Sequence, residues 1–175
     1  MTNATADATA ITTTWPSGFP AHKAGVGAFA VREVAADADA VFAWLRRVDL
    51  HESYYGALRM VRRRGGAWPV LEQGTAFSML LGGLFVPYIK VTKLDTTERS
   101  LAWGSNTPLF SACHAFTVKP IGEGRSLIRS EERFVGPIAR VVKPVAAGQL
   151  QKVQTEWTEA VVRAATAFPA GPPSA

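Results

Sequence analysis

The chain has 175 residues, 47% of them hydrophobic and 19% charged, which is the balance of a soluble globular protein with room for one substantial core. A single cysteine, Cys113, excludes an intrachain disulfide, and no apolar run approaches the ~20 residues of a spanning helix. The net charge of +5 is scattered apart from Arg46-Arg47 and Arg62-Arg63-Arg64. It lacks the one-face stripe with aromatic platforms that single-strand binders use, so a solvated basic surface is expected and a nucleic-acid partner is not.

Residues 1 to 24, rich in Ala and Thr and then in Pro and Gly, read as a flexible N-terminal tail that Trp15 and Phe19 could pin in part. They lack the basic start and long apolar core of a secretory signal, so a cytoplasmic location is expected. Residues 27 to 34 (GAFAVREV) read as a first strand. In AADADAVFAWLRRV, Asp37 or Asp39 can cap a helix whose apolar side is Val41, Phe42 and Leu45. Asp49 can cap a second short helix that Gly56 ends. Leu58 to Arg64 reads as a basic strand, followed by a loop at Gly65-Gly66 and Pro69. Residues 75–81 and 85–94 read as strands joined at Gly82-Gly83, and 99–104 as another.

Residues 110–118 and 126–134 alternate with a period of two, which predicts a hairpin. One face carries His114, Phe116, Val118, Ile128, Ser130, Glu132 and Phe134, and reads as dry. The other carries Lys119, Arg129, Glu131 and Arg133, and reads as wet. Beyond Pro137 the period changes. Leu150, Val153, Trp157, Val161, Ala164 and Phe168 follow steps of three and four, so a long amphipathic helix is predicted, kinked or started at Pro144 and Gly148. Residues 169–175 (PAGPPSA) read as a flexible C-terminal tail, leaving 25–168 as the domain. Such a helix needs an apolar surface, and the dry face of the strands supplies it.

Five segments carry a family resemblance: Ala36 to Leu45 (ADADAVFAWL), Leu101-Ala102-Trp103-Gly104, His114-Ala115-Phe116-Thr117-Val118, the Gly122-Glu123-Gly124 turn, and Glu132-Arg133-Phe134-Val135-Gly136-Pro137. In this order, with the terminal helix, they resemble the START-like (SRPBCC) helix-grip superfamily, and within it the polyketide cyclase/dehydrase families. The resemblance spans about residues 25 to 168. It implies an α+β fold in which a curved antiparallel sheet of about six to seven strands wraps a long C-terminal helix around an apolar cavity. It implies a small hydrophobic, oxygenated ligand, with polyketide-type cyclisation and dehydration as one activity. A lipid or metabolite carrier and a co-chaperone-like interaction module are the other activities within the superfamily.

Burying a histidine and a carboxylate is costly unless they are paired or reach a pocket. With Pro120 opposite Ser126, His114 lies directly across from Glu132. A register two residues away puts Ser130 there instead. Three readings stay open for His114 and Glu132: a structural pair, a polar spot for ligand, or an acid/base pair. Trp44, Tyr54, Tyr55, Phe77, Met79, Leu81, Tyr88, Trp103, Phe116, Ser130, Phe134, Val153 and Trp157 are the candidate cavity residues, Tyr and Trp offering an apolar body with a polar handle. Tyr88 competes with Ile89 and Val91 for the inward side of its strand. Asp49, His51 and Glu52 match no metal-ligand spacing and read as helix capping and surface polarity, so neither metal nor cofactor is expected. The glycine pairs precede no helix in a strand-turn-helix unit and read as turns. A homodimer is compatible with the sequence.

Overall fold

The computed structural model describes residues 11–173. Seven antiparallel strands form one sheet in the order β1-β7-β6-β5-β4-β3-β2. They are β1 (Val26–Val34), β2 (Leu58–Gly65), β3 (Ala76–Leu81), β4 (Leu84–Asp95), β5 (Ser100–Asn106), β6 (Ser111–Gly122) and β7 (Arg125–Val135). The helices are α1 (Ala38–Arg46), the single turn α2 (His51–Tyr54) and α3 (Pro137–Ala167). Register shifts in the β2–β3, β3–β4, β4–β5 and β6–β7 pairings bend and twist the sheet into a bowl. α3 closes the bowl, packing chiefly on β1 and then on β7 and α1.

The hairpin register agrees with the sequence: Pro120 opposes Ser126 and His114 opposes Glu132. β5 packs closely onto β6 at Gly104, where an added Cβ would lie 2.2 Å from the Ala112 carbonyl oxygen. Only glycine fits there.

The expected caps are replaced by other contacts. Asp37 stands at the N-cap of α1, but its carboxylate accepts the Gly124 N–H (3.2 Å) and so ties the helix to the β6–β7 turn. Asp39 pairs with Arg99 at 2.7 Å. Asp49 caps nothing; its two oxygens accept from the Arg47 guanidinium at 2.9 and 2.8 Å. α2 ends at Tyr54, before Gly56. α3 starts neither at Pro144 nor at Gly148. It begins with Pro137 in the first turn, where the missing N–H costs nothing, and runs through Pro144.

The face that reads as wet is largely covered. Residues 11–24, expected as part of a loose tail, lie on the outer side of the sheet. Ile11 is buried with Val31 and Leu127, and Trp15 and Phe19 pack over Ala102, Cys113 and Ala115. Glu131, expected in solvent, is buried and accepts from Thr13, Arg129 and Arg133. Burial raises its carboxyl, but those bonds and the Arg129 charge outweigh that and hold it below the ordinary value. At the other end Phe168 stacks on Trp44 (centroids 6.0 Å apart), and Arg47 donates to the Pro173 carbonyl at 2.7 Å. The first ten residues of the expected N-terminal tail, and residues 174–175, lie outside the described residues.

Candidate functional site

A cavity of about 600 Å³ lies between the concave face of the sheet and α3. That is within the size range of small-molecule sites. Strand alternation turns Met79, Leu81, Trp103 and Phe134 inward, and the helical period adds Val153 and Trp157. Tyr55 closes one side. His114 and Glu132 also reach the wall, with Ser105, Gln149, Lys152 and Glu156 as further polar groups in a largely apolar lining.

His114 and Glu132 are connected through two further side chains. His114 Nε2 lies 2.7 Å from Ser130 Oγ, and the Ser130 hydroxyl donates to Gln154 Oε1 at 2.7 Å. A hydroxyl has one proton, so the imidazole must donate from Nε2 and keep Nδ1 as an acceptor. Gln154 Nε2 then donates to Glu132 Oε2 at 2.9 Å. The chain His114–Ser130–Gln154–Glu132 thus ties strands β6 and β7 to helix α3.

Burial sets the charge states. It pushes the Glu132 carboxyl up to about 7, with the Gln154 hydrogen bond opposing. It pushes His114 down to about 3, helped by the neighbouring His51 and opposed by Gln154. His51, also wholly buried, falls to about 4. Both imidazoles are therefore neutral near pH 7, while Glu132 is close to half protonated. The His114–Glu132 ion pair that a surface pairing would give is absent; the group that exchanges a proton near neutrality is the carboxyl.

Several candidates lie elsewhere. Tyr88 is 52% exposed on the outer face, because Ile89 and Val91 take the inward positions of β4. Trp44 and Tyr54 pack on each other behind the cavity (5.6 Å, edge to face), and Phe77 and Phe116 pack against Trp103 as core. Ser130 is buried and acts only through the chain just described. His51, expected at the surface, is buried edge-on against Trp157, and Glu52 accepts the Val61 N–H. Among the described residues no group of three His, Cys, Asp or Glu side chains could hold a metal.

Gln154 is not among the residues the sequence singles out, and His51 reads there only as surface polarity. Gln154 lies four residues after Leu150 and three before Trp157, so it interrupts the apolar stripe of α3, and that interruption was its signal. His51 sits in a single helical turn, too short to show a period. The hydroxyls of Tyr54 and Tyr55 and the indole N–H groups of Trp103 and Trp157 are buried without a hydrogen-bond partner in the protein. Such atoms are costly unless water or a ligand completes them.

A family model described as polyketide cyclase / dehydrase and lipid transport matches residues 28–166. The chain belongs to that family. Among curated proteins none matches. A hypothetical protein of Helicobacter pylori has a similar structure (17% identity, 88% of this chain and 96% of that one, TM-score 0.76). So does norcoclaurine synthase from Thalictrum flavum in complex with dopamine and hydroxybenzaldehyde (19% identity, 90% and 96% covered, TM-score 0.59). Ara h 8.0201 is similar at 9% identity, with 82% and 97% covered and a TM-score of 0.58. At these identities the structures carry the fold alone: the family's helix-grip arrangement, with its hollow suited to a hydrophobic ligand.

Proposed function

We propose that the chain binds a small, largely apolar, oxygenated molecule in the cavity, and that Glu132 exchanges a proton with it during aldol-type cyclisation and dehydration of a poly-β-ketone. The observation that carries this reading is a carboxyl titrating near 7 in a greasy cavity. Its carboxylate form can take the proton α to a ketone. The enolate carbon then bonds to a second carbonyl carbon, whose oxygen becomes an alkoxide. The carboxylic acid returns the proton to that oxygen. In the dehydration the carboxylate takes the next α proton, the resulting carboxylic acid gives that proton to the departing hydroxyl, which leaves as water, and a C=C bond forms. Gln154 and Ser130 orient the carboxyl, and His114 Nδ1 offers an acceptor for a substrate hydroxyl. The aromatic, oxygenated pair in the norcoclaurine synthase complex belongs to the same chemical class.

A non-catalytic carrier is the second reading. The closed chain from His114 to Glu132 favours it, since the four side chains satisfy much of one another's hydrogen bonding.

Native mass spectrometry of the purified protein reads any co-purified small molecule, and a linear poly-β-ketone thioester tests turnover. Glu132→Gln should lower turnover by about 10²- to 10⁴-fold while the affinity for 2-naphthol, read by its fluorescence, survives. Undiminished turnover in that variant removes the role given to Glu132. No turnover by the wild type, with an apolar molecule bound, selects the carrier.

A further inference from the structure

Exposed apolar side chains are scattered over the surface at Phe29, Met60, Tyr88, Ile121 and Phe168, but six others lie towards the mouth of the cavity. On α3, Ile138, Val141 and Val145 follow steps of three and four and so form one stripe. That stripe faces solvent, with Val141 80% and Val145 84% exposed. An apolar helix stripe ordinarily faces a core. Leu109, exposed as well, extends it, its carbonyl accepting the Ile138 N–H at 3.4 Å. Across the opening the β3–β4 tip presents Leu84, 69% exposed, and Phe85. Both borders belong to the cavity: Leu84 and Phe85 line it from the hairpin, Ala146 and Gln149 from the helix.

The charge around this rim is chiefly basic, with one acid, Glu156, which lines the cavity and pairs with Lys152 at 3.8 Å. The sequence holds no Asp or Glu between Ala76 and Leu94, and none between Pro137 and Thr155. Arg140 and Lys143 are exposed on the first turns of α3, beside the apolar stripe in sequence, and Arg59 opposes Leu80 beside the hairpin tip. A two-fold contact with a second copy through this surface would face Arg140 and Lys143 with their own images, and the rim acid, Glu156, is already taken up by Lys152. An anionic bilayer complements both properties, taking the apolar side chains at its acyl boundary and the basic ones at its phosphates.

We propose that this rim docks on an anionic lipid bilayer, so that the cavity mouth opens onto the membrane surface. The docking needs no role for Glu132 and holds for an enzyme or a carrier alike.

The test is flotation of the full chain with vesicles of phosphatidylcholine, pure or with about 30% phosphatidylglycerol. The anionic vesicles should bind at least about tenfold more tightly, and added salt should weaken them. Val141→Ser with Val145→Ser should lower partition by about tenfold or more, and Arg140→Glu with Lys143→Glu by a similar factor. Because these side chains are exposed, the melting temperature should not move. Arg62→Glu with Arg63→Glu, farther along β2, should leave partition nearly unchanged. Absence of wild-type binding to either vesicle overturns the proposal. So does binding that ignores the rim variants and disappears with the β2 variants. A sedimenting dimer that Val141→Ser with Val145→Ser dissolves, with no vesicle binding, assigns the rim to a second copy and overturns it as well.

Discussion

Glu132 and the two buried histidines oppose one another in their effect on stability. The carboxyl has an ordinary value of 4.5 and a folded value of about 7, so between those limits the folded protein holds a proton that the unfolded chain has released. Stability from this group falls as pH rises through that window, and the full cost is present above 7. Glu132→Gln should therefore be more stable than the wild type at pH 8, by up to about 3 kcal/mol, and equal to it near pH 4. His51 and His114 act in reverse: from 6.5 they fall to about 4 and about 3, so stability is lost as pH drops below 6.5. Between about 4.5 and 6.5 unfolding of the wild type should take up about one net proton from these three groups, and unfolding of Glu132→Gln about two. Denaturant midpoints across pH 4 to 8 measure both effects; parallel curves would contradict them. Gln154→Leu should cost about 1–3 kcal/mol in the same measurement, since it leaves Ser130 and Glu132 without their shared partner. The His114–Glu132 juxtaposition was legible in the alternation of two strands. The link through Gln154 was not, because it depends on which turn of a distant helix lies over that point of the sheet.

At the scale of elements, local pattern and local punctuation differ in how well they read. The β6–β7 hairpin, the Gly82-Gly83 turn and the apolar period of α3 all follow from nearest-neighbour chemistry, and the structure agrees with them. The start of α3 does not follow from Pro144. Proline removes one hydrogen bond and crowds one turn, and a helix anchored over its later turns by Leu150, Trp157 and Val161 tolerates that. Asp37, Asp39 and Asp49 carry the right chemistry for capping, yet each bonds another partner: Asp39 and Asp49 an arginine, Asp37 the Gly124 N–H. Gly104 shows the opposite case, a residue whose reason is visible only in three dimensions. Gly104→Ala would press a methyl group into the Ala112 carbonyl, which belongs to backbone and cannot rotate away. A loss of about 1–3 kcal/mol in thermal unfolding is expected, and an unchanged melting temperature would mean that β5 and β6 can separate there without cost.

The molecule as a whole is a sheet covered on both sides, by α3 within and by residues 11–24 without. The inner cover was legible as a periodic helix. The outer one was legible only in part: Trp15 and Phe19 stand out as anchors, and they do pack on the sheet, but the Ala, Thr, Pro and Gly around them give no sign of which surface they will meet. Cys113 reports on it. Burial holds the thiol at about 12, and Trp15 and Phe19 pack over its cluster. Deleting residues 1–24 should expose it, so that a disulfide reagent labels the truncated protein at least about tenfold faster than the intact one. Equal slow labelling would show that the seal lies elsewhere. The two ends of the sheet also differ in what holds them. α3 is fastened to β1, β7 and α1, whereas the β3–β4 tip stands at the far end. That tip is held by its own sheet instead, the Gly82 N–H donating to the Ala57 carbonyl at 2.9 Å. Substitutions at the tip and substitutions beneath α3 therefore disturb separate sets of contacts, so the hollow's entrance can be altered without loosening its clamp.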